Sequence, residues 1–141
     1  MKKNLTLNYQ PELEFTLLGI SSHENDYHLS WALNQKLGLQ FIKISNLEIH
    51  QAEAALSQEF SVFNYEDEDT LLVYNLISNK CEQGYLVPEL RNIDYFLQIL
   101  GETNQGFLDQ LIERLRNSGV VNASFVLDPK KIKDAEKLIL H

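Results

Sequence analysis

The sequence has 141 residues, a length that suits one domain with a single hydrophobic core rather than two domains. Apolar residues make up 44% and charged residues 23% of the chain, a balance that excludes an intrinsically disordered protein. The net charge of −8 disfavours nucleic acid as a partner, and the single cysteine, Cys81, excludes an intrachain disulfide and a four-cysteine metal site.

The first predicted elements are two strands and a helix. Leu5 and Leu7 alternate with polar residues, which is typical of a half-buried strand, and residues 15–20 predict a second, more buried strand. Polar residues at 21–26 offer helix N-caps, and Gly38 is a C-terminal stop signal. Between them, apolar residues recur at helical spacings of three and four. These residues are Leu29, Ala32, Leu33 and Leu37.

The middle of the chain is rich in strand patterns. Residues 41–44 are β-branched and aromatic enough to predict a strand. Residues 46–58 are compatible with a strand or with a short helix, because their apolar residues also recur at helical spacing. Residues 60–65 and 71–77 predict a hairpin whose tip is the acidic run 66–69. That run lacks the spacing of a calcium-binding loop, so a solvated tip is the simpler interpretation.

A proline divides the next part of the chain. Residues 85–87 are expected to be extended, because the residue before a proline is disfavoured in the α region. Pro88 would remove a hydrogen bond from a central strand, so it marks a strand end, an edge strand or a bulge. Residues 95–100 then predict a core strand.

Two helices and a strand are predicted in the last third of the sequence. The apolar residues of 107–115 form the stripe of an amphipathic helix that Gly119 follows. Residues 121–127 alternate as a strand with one buried face. Asp128 and Pro129 predict the start of a last helix, whose apolar stripe is Ile132, Ala135, Leu138 and Ile139.

This order of elements predicts an α+β fold. We expect residues 1–141 to form a single domain, a mostly antiparallel β-sheet with about three helices packed on one face. The sequence contains no internal repeat, low-complexity tract or obvious linker, which agrees with one domain.

The segment Val87-Pro88-Glu89-Leu90-Arg91-Asn92-Ile93-Asp94-Tyr95 fits the pattern I-P-E-x-x-x-V-D-Y, with Val in place of Ile and Ile in place of Val. In this it resembles the IPExxxVDY family of small bacterial proteins. Residues 19–34 resemble the same family at the junction between its early strand and first helix. The resemblance implies family membership and no particular activity.

The segment 87–95 has a functional and a structural interpretation. In the first, Glu89, Arg91, Asp94 and Tyr95 line a small-molecule pocket, and the two carboxylates could divide acid and base roles. In the second, Pro88 shapes a turn, the carboxylates accept backbone N–H groups, and the apolar residues enter the core. The structural interpretation accounts for the proline and apolar residues as well as the acids, so it is favoured.

Residues 21–28 form a second polar cluster, at the predicted start of the first helix. His23 and Asp26 could contribute to the same pocket, because helix N-termini bind anions and histidine titrates near neutral pH. His23 and His28 are five residues apart, which turns their side chains away from each other on a helix and disfavours a metal site. The simpler interpretation is a capped, solvated helix start.

Two functions remain open at this point. Familiar catalytic and phosphate-binding motifs are missing, which favours a non-enzymatic protein-binding or adaptor domain whose partner is another cytoplasmic protein or a second copy of the chain. The alternative is a small-molecule-binding protein or enzyme. We expect no cofactor, no metal ion and no membrane, and cytoplasmic localisation, because no apolar secretory or membrane segment is recognisable.

Overall fold

The computed structural model describes residues 14–51 and 56–140. Within these ranges the chain forms eight strands and two α-helices. Their bounds are β1 Thr16–Ser21, α1 Asp26–Leu37, β2 Ile42–Gln51, β3 Leu56–Glu66, β4 Val73–Ser78, β5 Lys80–Cys81, β6 Gly84–Tyr85, β7 Tyr95–Leu100, α2 Gln105–Arg116 and β8 Ala123–Leu127. The chain also forms short 3-10 turns, at Pro88–Leu90 between β6 and β7, and at Pro129–Lys131 and Ala135–Leu138 after β8.

Six of the strands form one antiparallel sheet in the order β2-β3-β4-β7-β1-β8, and β5 and β6 form a separate two-stranded ribbon. The pairing of β7 with β1 and β4 determines where the two polar segments of the sequence, residues 21–28 and 87–95, meet. Tyr95, at the start of β7, lies opposite Ile20 at the end of β1 and opposite Ser78 at the end of β4. The turns after β1 and β4 and the segment before β7 therefore converge at one end of the sheet.

The two helices cover one side of the sheet, which we call the helix face. Leucines of α1 and α2 pack there against alternate residues of the strands, such as Leu18, Leu76 and Leu97. On the opposite side, the second face, Leu17 and Phe96 pack against residues 86–93 and the C-terminal segment. Both faces are thus buried, which explains why β1, β4 and β7 are nearly continuous apolar runs.

The first helix matches the predicted start and stop signals. Asn25 caps it by accepting a hydrogen bond from the backbone N–H of His28 at 2.8 Å. Gly38 ends it in the left-handed conformation, with φ of 70°. Asn34 then joins the helix to β2, because its side chain accepts from Phe41 N and donates to Phe41 O.

The prediction of a third helix is wrong. Asp128 does cap the start of the segment, since it accepts from the Lys130 N–H at 3.0 Å. The chain then becomes extended at Ile132 and left-handed at Asp134, so only two 3-10 turns form. Ala135 and Leu138 are nevertheless buried, because the segment folds over the second face of the sheet. The described residues contain two α-helices, both on the helix face.

The strand predictions have three further outcomes. The strand predicted from Leu5 and Leu7 lies outside the described residues. Residues 46–51 and 56–58 belong to strands β2 and β3, so the helical alternative for this region is not adopted there. Pro88 opens a 3-10 turn just after β6, so it marks a strand end and not an edge strand. The outer strands of the large sheet are β2 and β8.

A row of amide side chains crosses the second face. Asn64, Asn75 and Gln98 lie opposite one another on β3, β4 and β7. Asn64 donates to Asn75 at 2.8 Å, Asn75 donates to Gln98 at 3.0 Å, and Gln98 donates to the carbonyl of Leu138 at 2.7 Å. The row fixes the C-terminal segment on the sheet and satisfies amide groups that would otherwise be buried without partners.

Candidate functional site

The segment 87–95 begins as an extended residue followed by a tight turn. Val87 has φ of −120° and ψ of 93°, and Pro88 supplies the first position of the 3-10 turn. The N–H of Leu90 donates to Val87 O, and the N–H of Ile93 donates to Leu90 O, both at 3.0 Å. Ile93 is fully buried on the second face. The turn therefore delivers an apolar side chain to the core immediately before β7.

Asn79 satisfies the polar groups that this turn leaves open. Its side-chain N–H₂ donates to Leu90 O at 2.9 Å and Ile93 O at 2.8 Å, while its side-chain oxygen accepts from Val87 N at 2.8 Å. Its main chain also donates to Asp94 O. Asn79 is completely buried. The sequence alone does not reveal this role, because the partners of Asn79 are 8 to 15 positions away and depend on the tertiary fold.

Asp94 joins three segments at the end of the sheet. One carboxylate oxygen accepts the backbone N–H of Ser22 at 2.8 Å, and the other pairs with Lys80 Nζ at 2.5 Å. The hydrogen bond to Asp94 raises the pKa of the Lys80 ammonium, although burial of Lys80 opposes that shift. Both carboxylate oxygens are therefore already engaged by the protein. One accepts a backbone N–H, as the structural interpretation predicted, although this N–H belongs to Ser22 and not to the turn at Pro88; the pairing of the other oxygen with Lys80 was not predicted.

Tyr95 lies mainly in the core of the helix face, with its hydroxyl at the surface of the same site. The hydroxyl donates to the carbonyl of Glu24 at 2.6 Å. Burial raises the pKa of the phenol, and the negative charges of Asp26, Asp94 and Glu24 raise it further. The phenol stays protonated at neutral pH and acts as a hydrogen-bond donor that holds the start of α1 against β7.

These residues surround an open pocket of about 390 Å³. Its lining comes from the end of β1, the turn after β4 and the start of β7. The residues are Ser22, His23, Glu24, Ser78, Lys80, Asp94 and Tyr95. Lys80 and Ser78 were not among the predicted pocket residues. They join the site because Ser78 is paired with Tyr95 across β4 and β7, a relation that the sequence does not reveal.

The predicted pocket set is brought together only in part. His23, Asp94 and Tyr95 line the pocket. Asp26 lies close enough to raise the pKa of Tyr95, but it is outside the lining. Glu89 and Arg91 are exposed on or beside the 3-10 turn, also outside the lining.

These two exposed residues have different surroundings in the structure. Within the described part of the chain, Glu89 has no hydrogen bond or ion pair, so the expectation that it accepts backbone N–H groups is wrong. The reason is that the N–H groups of the turn already have other acceptors. Val87 N donates to the side-chain oxygen of Asn79, and the N–H groups of Leu90 and Ile93 donate to backbone carbonyls. Arg91 lies over the ring of Tyr85, with its guanidinium carbon 5.6 Å from the ring centre.

The chemistry available in the pocket is limited by these internal bonds. Asp94 and Tyr95 are used by the protein itself, and the Ser22 hydroxyl donates to Val120 O. Among residues 14–51 and 56–140, no three His, Cys, Asp or Glu side chains are grouped to hold a metal ion. The pocket can therefore offer polar contacts to a ligand, chiefly from His23 and Lys80.

A different surface exposes apolar residues at the edge of the sheet. Ile42 on β2 is 63% exposed and Ile44 is 38% exposed, while Tyr27 and Trp31 on α1 are 63% and 58% exposed. Tyr27 meets Phe63 of β3 edge to face at 5.3 Å, and Lys43 of β2 lies over the same Phe63 ring, so α1 and β2 are close at this edge. We call Tyr27, Trp31, Ile42 and Ile44, with the outer edge of β2, the β2 surface.

The β2 surface is open in the part of the chain that the structure describes. No described strand pairs with the outer side of β2, which leaves a ten-residue strand at the limit of the sheet. The other outer strand, β8, has five residues and exposes Phe125 and Val126. No helix among the described residues has the length and apolar character to cross a membrane.

Comparisons with known proteins identify no relative: no family model, no curated protein and no solved structure matches the chain. Residues 87–95 resemble the IPExxxVDY pattern, and membership of that family therefore stays a prediction. A function has to be argued from the geometry of the pocket and of the β2 surface.

Proposed function

We propose that this chain is a non-enzymatic, cytoplasmic protein-binding domain of the IPExxxVDY type and that it binds its partner at the β2 surface. The observation that carries this proposal is the length and exposure of β2. Ten residues lie at the sheet edge without a described partner on their outer side, and two isoleucines are exposed there.

An unpaired edge strand favours association for a physical reason. Its outward N–H and C=O groups can continue the hydrogen-bond ladder into another chain, and adjacent apolar side chains add burial. Soluble proteins usually protect such edges with charges, prolines or short strands. In the first half of β2, Lys43 is the only charged residue, and the strand contains no proline. A strand of this kind is suited to receive a partner.

Aromatic side chains next to the edge support the same proposal. Tyr27 and Trp31 lie one turn apart on α1 and are both more than half exposed. Large aromatic residues are enriched in protein interfaces, where they bury much area at a small cost in side-chain entropy. Together with Ile42 and Ile44 they give a partner apolar contacts on both sides of the strand.

The pocket gives weaker support for catalysis. Asp94, one of the two carboxylates predicted to divide acid and base roles, accepts the Ser22 N–H and pairs with Lys80. The Tyr95 hydroxyl donates to a backbone carbonyl. A general acid or base must reach the substrate with a proton to exchange. Their engagement favours a role in holding α1, β4 and β7 together.

Site-specific photo-crosslinking tests the proposed surface. A photoreactive amino acid replaces Ile42 in one variant and Val126, on the opposite outer strand, in a matched control. In living host cells we expect a defined protein adduct from position 42, lost when Ile44→Lys is added, and none from position 126. Equal labelling at both positions, or no adduct from position 42, would remove the β2 surface from consideration.

A second candidate function is the binding of a small polar molecule. The specific observation is the pocket of about 390 Å³, into which His23 and Lys80 bring basic groups. A volume of this size is within the range of small-molecule sites. A panel of small polar metabolites can be screened by thermal shift on the wild-type protein, on His23→Ala and on His50→Ala as a control at an exposed histidine away from the pocket. Any shift that survives His23→Ala would argue against binding at this pocket.

A further inference from the structure

We propose that the partner at the β2 surface is a second copy of this chain, with the two β2 strands antiparallel about a twofold axis between Ser45 and Asn46. This inference rests on the proposed function and names its partner. Three observations support it: the order of charged and apolar residues along β2, the faces on which these residues lie, and a glutamate of β2 that has no lysine or arginine partner among the described residues.

The sequence of β2 is complementary to itself when read in reverse. Around the point between Ser45 and Asn46, the triplet Ile42-Lys43-Ile44 precedes and the triplet Leu47-Glu48-Ile49 follows. In an antiparallel pair centred at that point, Lys43 of each copy lies opposite Glu48 of the other. Ile44 lies opposite Leu47 and Ile42 opposite Ile49. Opposite charges and apolar pairs directly across a ladder are both stabilising.

A β-bulge places the two apolar halves on the same face. In a regular strand, residues three positions apart point to opposite faces, so Ile44 and Leu47 would be separated. The register of β2 against β3 shifts between these two residues. Ile44 then lies opposite Val62 and Leu47 opposite Phe60, and both partners belong to the second face. The bulge therefore gives each copy a continuous apolar row that can meet the same row of the other copy.

The charges lie on the helix face, where Glu48 has no lysine or arginine partner among residues 14–51 and 56–140. Glu48 is directly opposite Glu59 on β3, a like-charge pair that is unfavourable across a ladder. His50 Nε2 lies 3.6 Å from Glu48, and Asn46 donates to Glu59 at 3.0 Å. Lys43 of the same chain contacts Asn46. In the proposed pairing, Lys43 of the second copy supplies the permanent positive charge that Glu48 lacks.

An apolar groove continues the interface beyond the strand. A cavity of about 370 Å³ opens between β2 and the C-terminal segment, and its lining includes Ile44, Leu47, Val62, Ile139 and Leu140. Leu47 of the second copy, placed opposite Ile44, would lie at the rim of this groove. Because the axis is twofold, each pairing occurs twice, which is the arrangement of an isologous dimer.

Charge reversal with purified full-length protein tests this register. We expect the wild type to dimerise in sedimentation equilibrium, and Lys43→Glu and Glu48→Lys each to raise the dimer Kd about tenfold, since each reversal places like charges together twice per dimer. An equimolar mixture of the two variants should form a heterodimer, and the double variant should regain the homodimer. Both positions are exposed, and Glu48→Lys also relieves the contact with Glu59, so thermal unfolding should show that the variants fold.

The outcomes separate this inference from the proposed function. A wild type that stays monomeric at high micromolar concentration overturns the dimer, and an adduct from position 42 to a different protein would then leave the protein-binding proposal intact. If neither charge reversal changes the dimer Kd, or if the mixture of the two variants does not associate, the proposed register is wrong. Absence of any adduct from position 42 counts against both.

Discussion

At the residue scale, Asn79 determines the conformation of the 87–95 segment more than either acidic residue does. Its side chain uses one acceptor and two donors on three backbone groups of that segment. The bonds to Val87 N and Ile93 O are buried, so these two groups do not have water as an alternative partner. Glu89, by contrast, is exposed on the turn. The conformation of the segment 87–95 therefore depends on Asn79, which lies outside the I-P-E-x-x-x-V-D-Y pattern.

The first prediction follows from these bonds. Asn79→Ala should lower the free energy of unfolding by about 3 kcal/mol, because the buried Val87 N–H and Ile93 carbonyl lose their partner and the Leu90 carbonyl loses one of two. Urea denaturation measures the change. Asn92→Ala is the matched control: Asn92 is an exposed asparagine of the same segment, and its removal should cost less than about 0.5 kcal/mol. Similar losses in the two variants would contradict the role assigned to Asn79.

Tyr95 and Lys80 make the stability of the protein vary with pH in the alkaline range. Burial raises the pKa of Tyr95, and the hydrogen bond to Asp94 raises that of Lys80. In both cases folding favours the protonated form. The stabilisation is therefore complete below the unfolded-state pKa values of 10.0 and 10.5 and is lost as the pH rises toward the folded-state values.

The second prediction uses Tyr95→Phe to isolate the phenol. At neutral pH the variant should lose about 1 kcal/mol, the net contribution of one hydrogen bond to the Glu24 carbonyl. Between about pH 9 and about pH 12 its stability should fall less steeply than that of the wild type, because the phenol no longer contributes to proton linkage. Urea titrations across this range provide the test, with Tyr27→Phe as a control at an exposed tyrosine. An unchanged slope in Tyr95→Phe would refute the assignment.

At the element scale, the C-terminal segment shows why local pattern and tertiary contact can disagree. The residues Ile132, Ala135, Leu138 and Ile139 have helical spacing, yet a continuous helix does not form. Burial of Ala135 and Leu138 and the bond from Gln98 to the Leu138 carbonyl hold the segment in two separate turns. The apolar residues predicted which side chains are buried, whereas the backbone conformation was decided by the sheet beneath them.

The third prediction tests the amide row that holds this segment. Gln98→Leu should lower the free energy of unfolding by about 2 kcal/mol, because the buried Asn75 amide and the Leu138 carbonyl each lose a partner. Cleavage by trypsin at Lys137 should become faster as the segment loosens. Gln35→Leu, the same change at an exposed position of α1, should have neither effect. If Gln98→Leu leaves Lys137 protected, the row does not hold the segment in place.

The candidate site was predictable from the sequence only where one segment supplies the signal. The pattern around Pro88 predicted a strand end and buried residues in the segment, and the structure has both. Lys80 and Ser78 could not be predicted as neighbours of Asp94 and Tyr95, because their proximity comes from the pairing of β4 with β7. The local sequence predicts which residues form a strand, but it does not predict which residues of two strands lie opposite each other, because that register is set by the whole sheet.

At the scale of the whole molecule, burial of both sheet faces leaves the edges as the main places for association. Helices cover one face, and residues 86–93 with the C-terminal segment cover the other. The two outer strands differ: β2 has ten residues with a charge pattern complementary to itself, and β8 has five. The net charge of −8 opposes association between copies at long range, so a specific interface has to supply local attraction.

The last prediction compares the two edges directly. Ile42→Lys should raise the dimer Kd by at least about tenfold, because it places a charge opposite Ile49 of the other copy twice in each dimer. Val126→Lys makes the same change at an exposed residue of β8 and should leave the Kd unchanged. Thermal unfolding of the monomeric forms should stay close to that of the wild type, since both positions are on the surface. If Val126→Lys weakens association as much as Ile42→Lys, the loss reflects added charge in general and the argument for β2 fails.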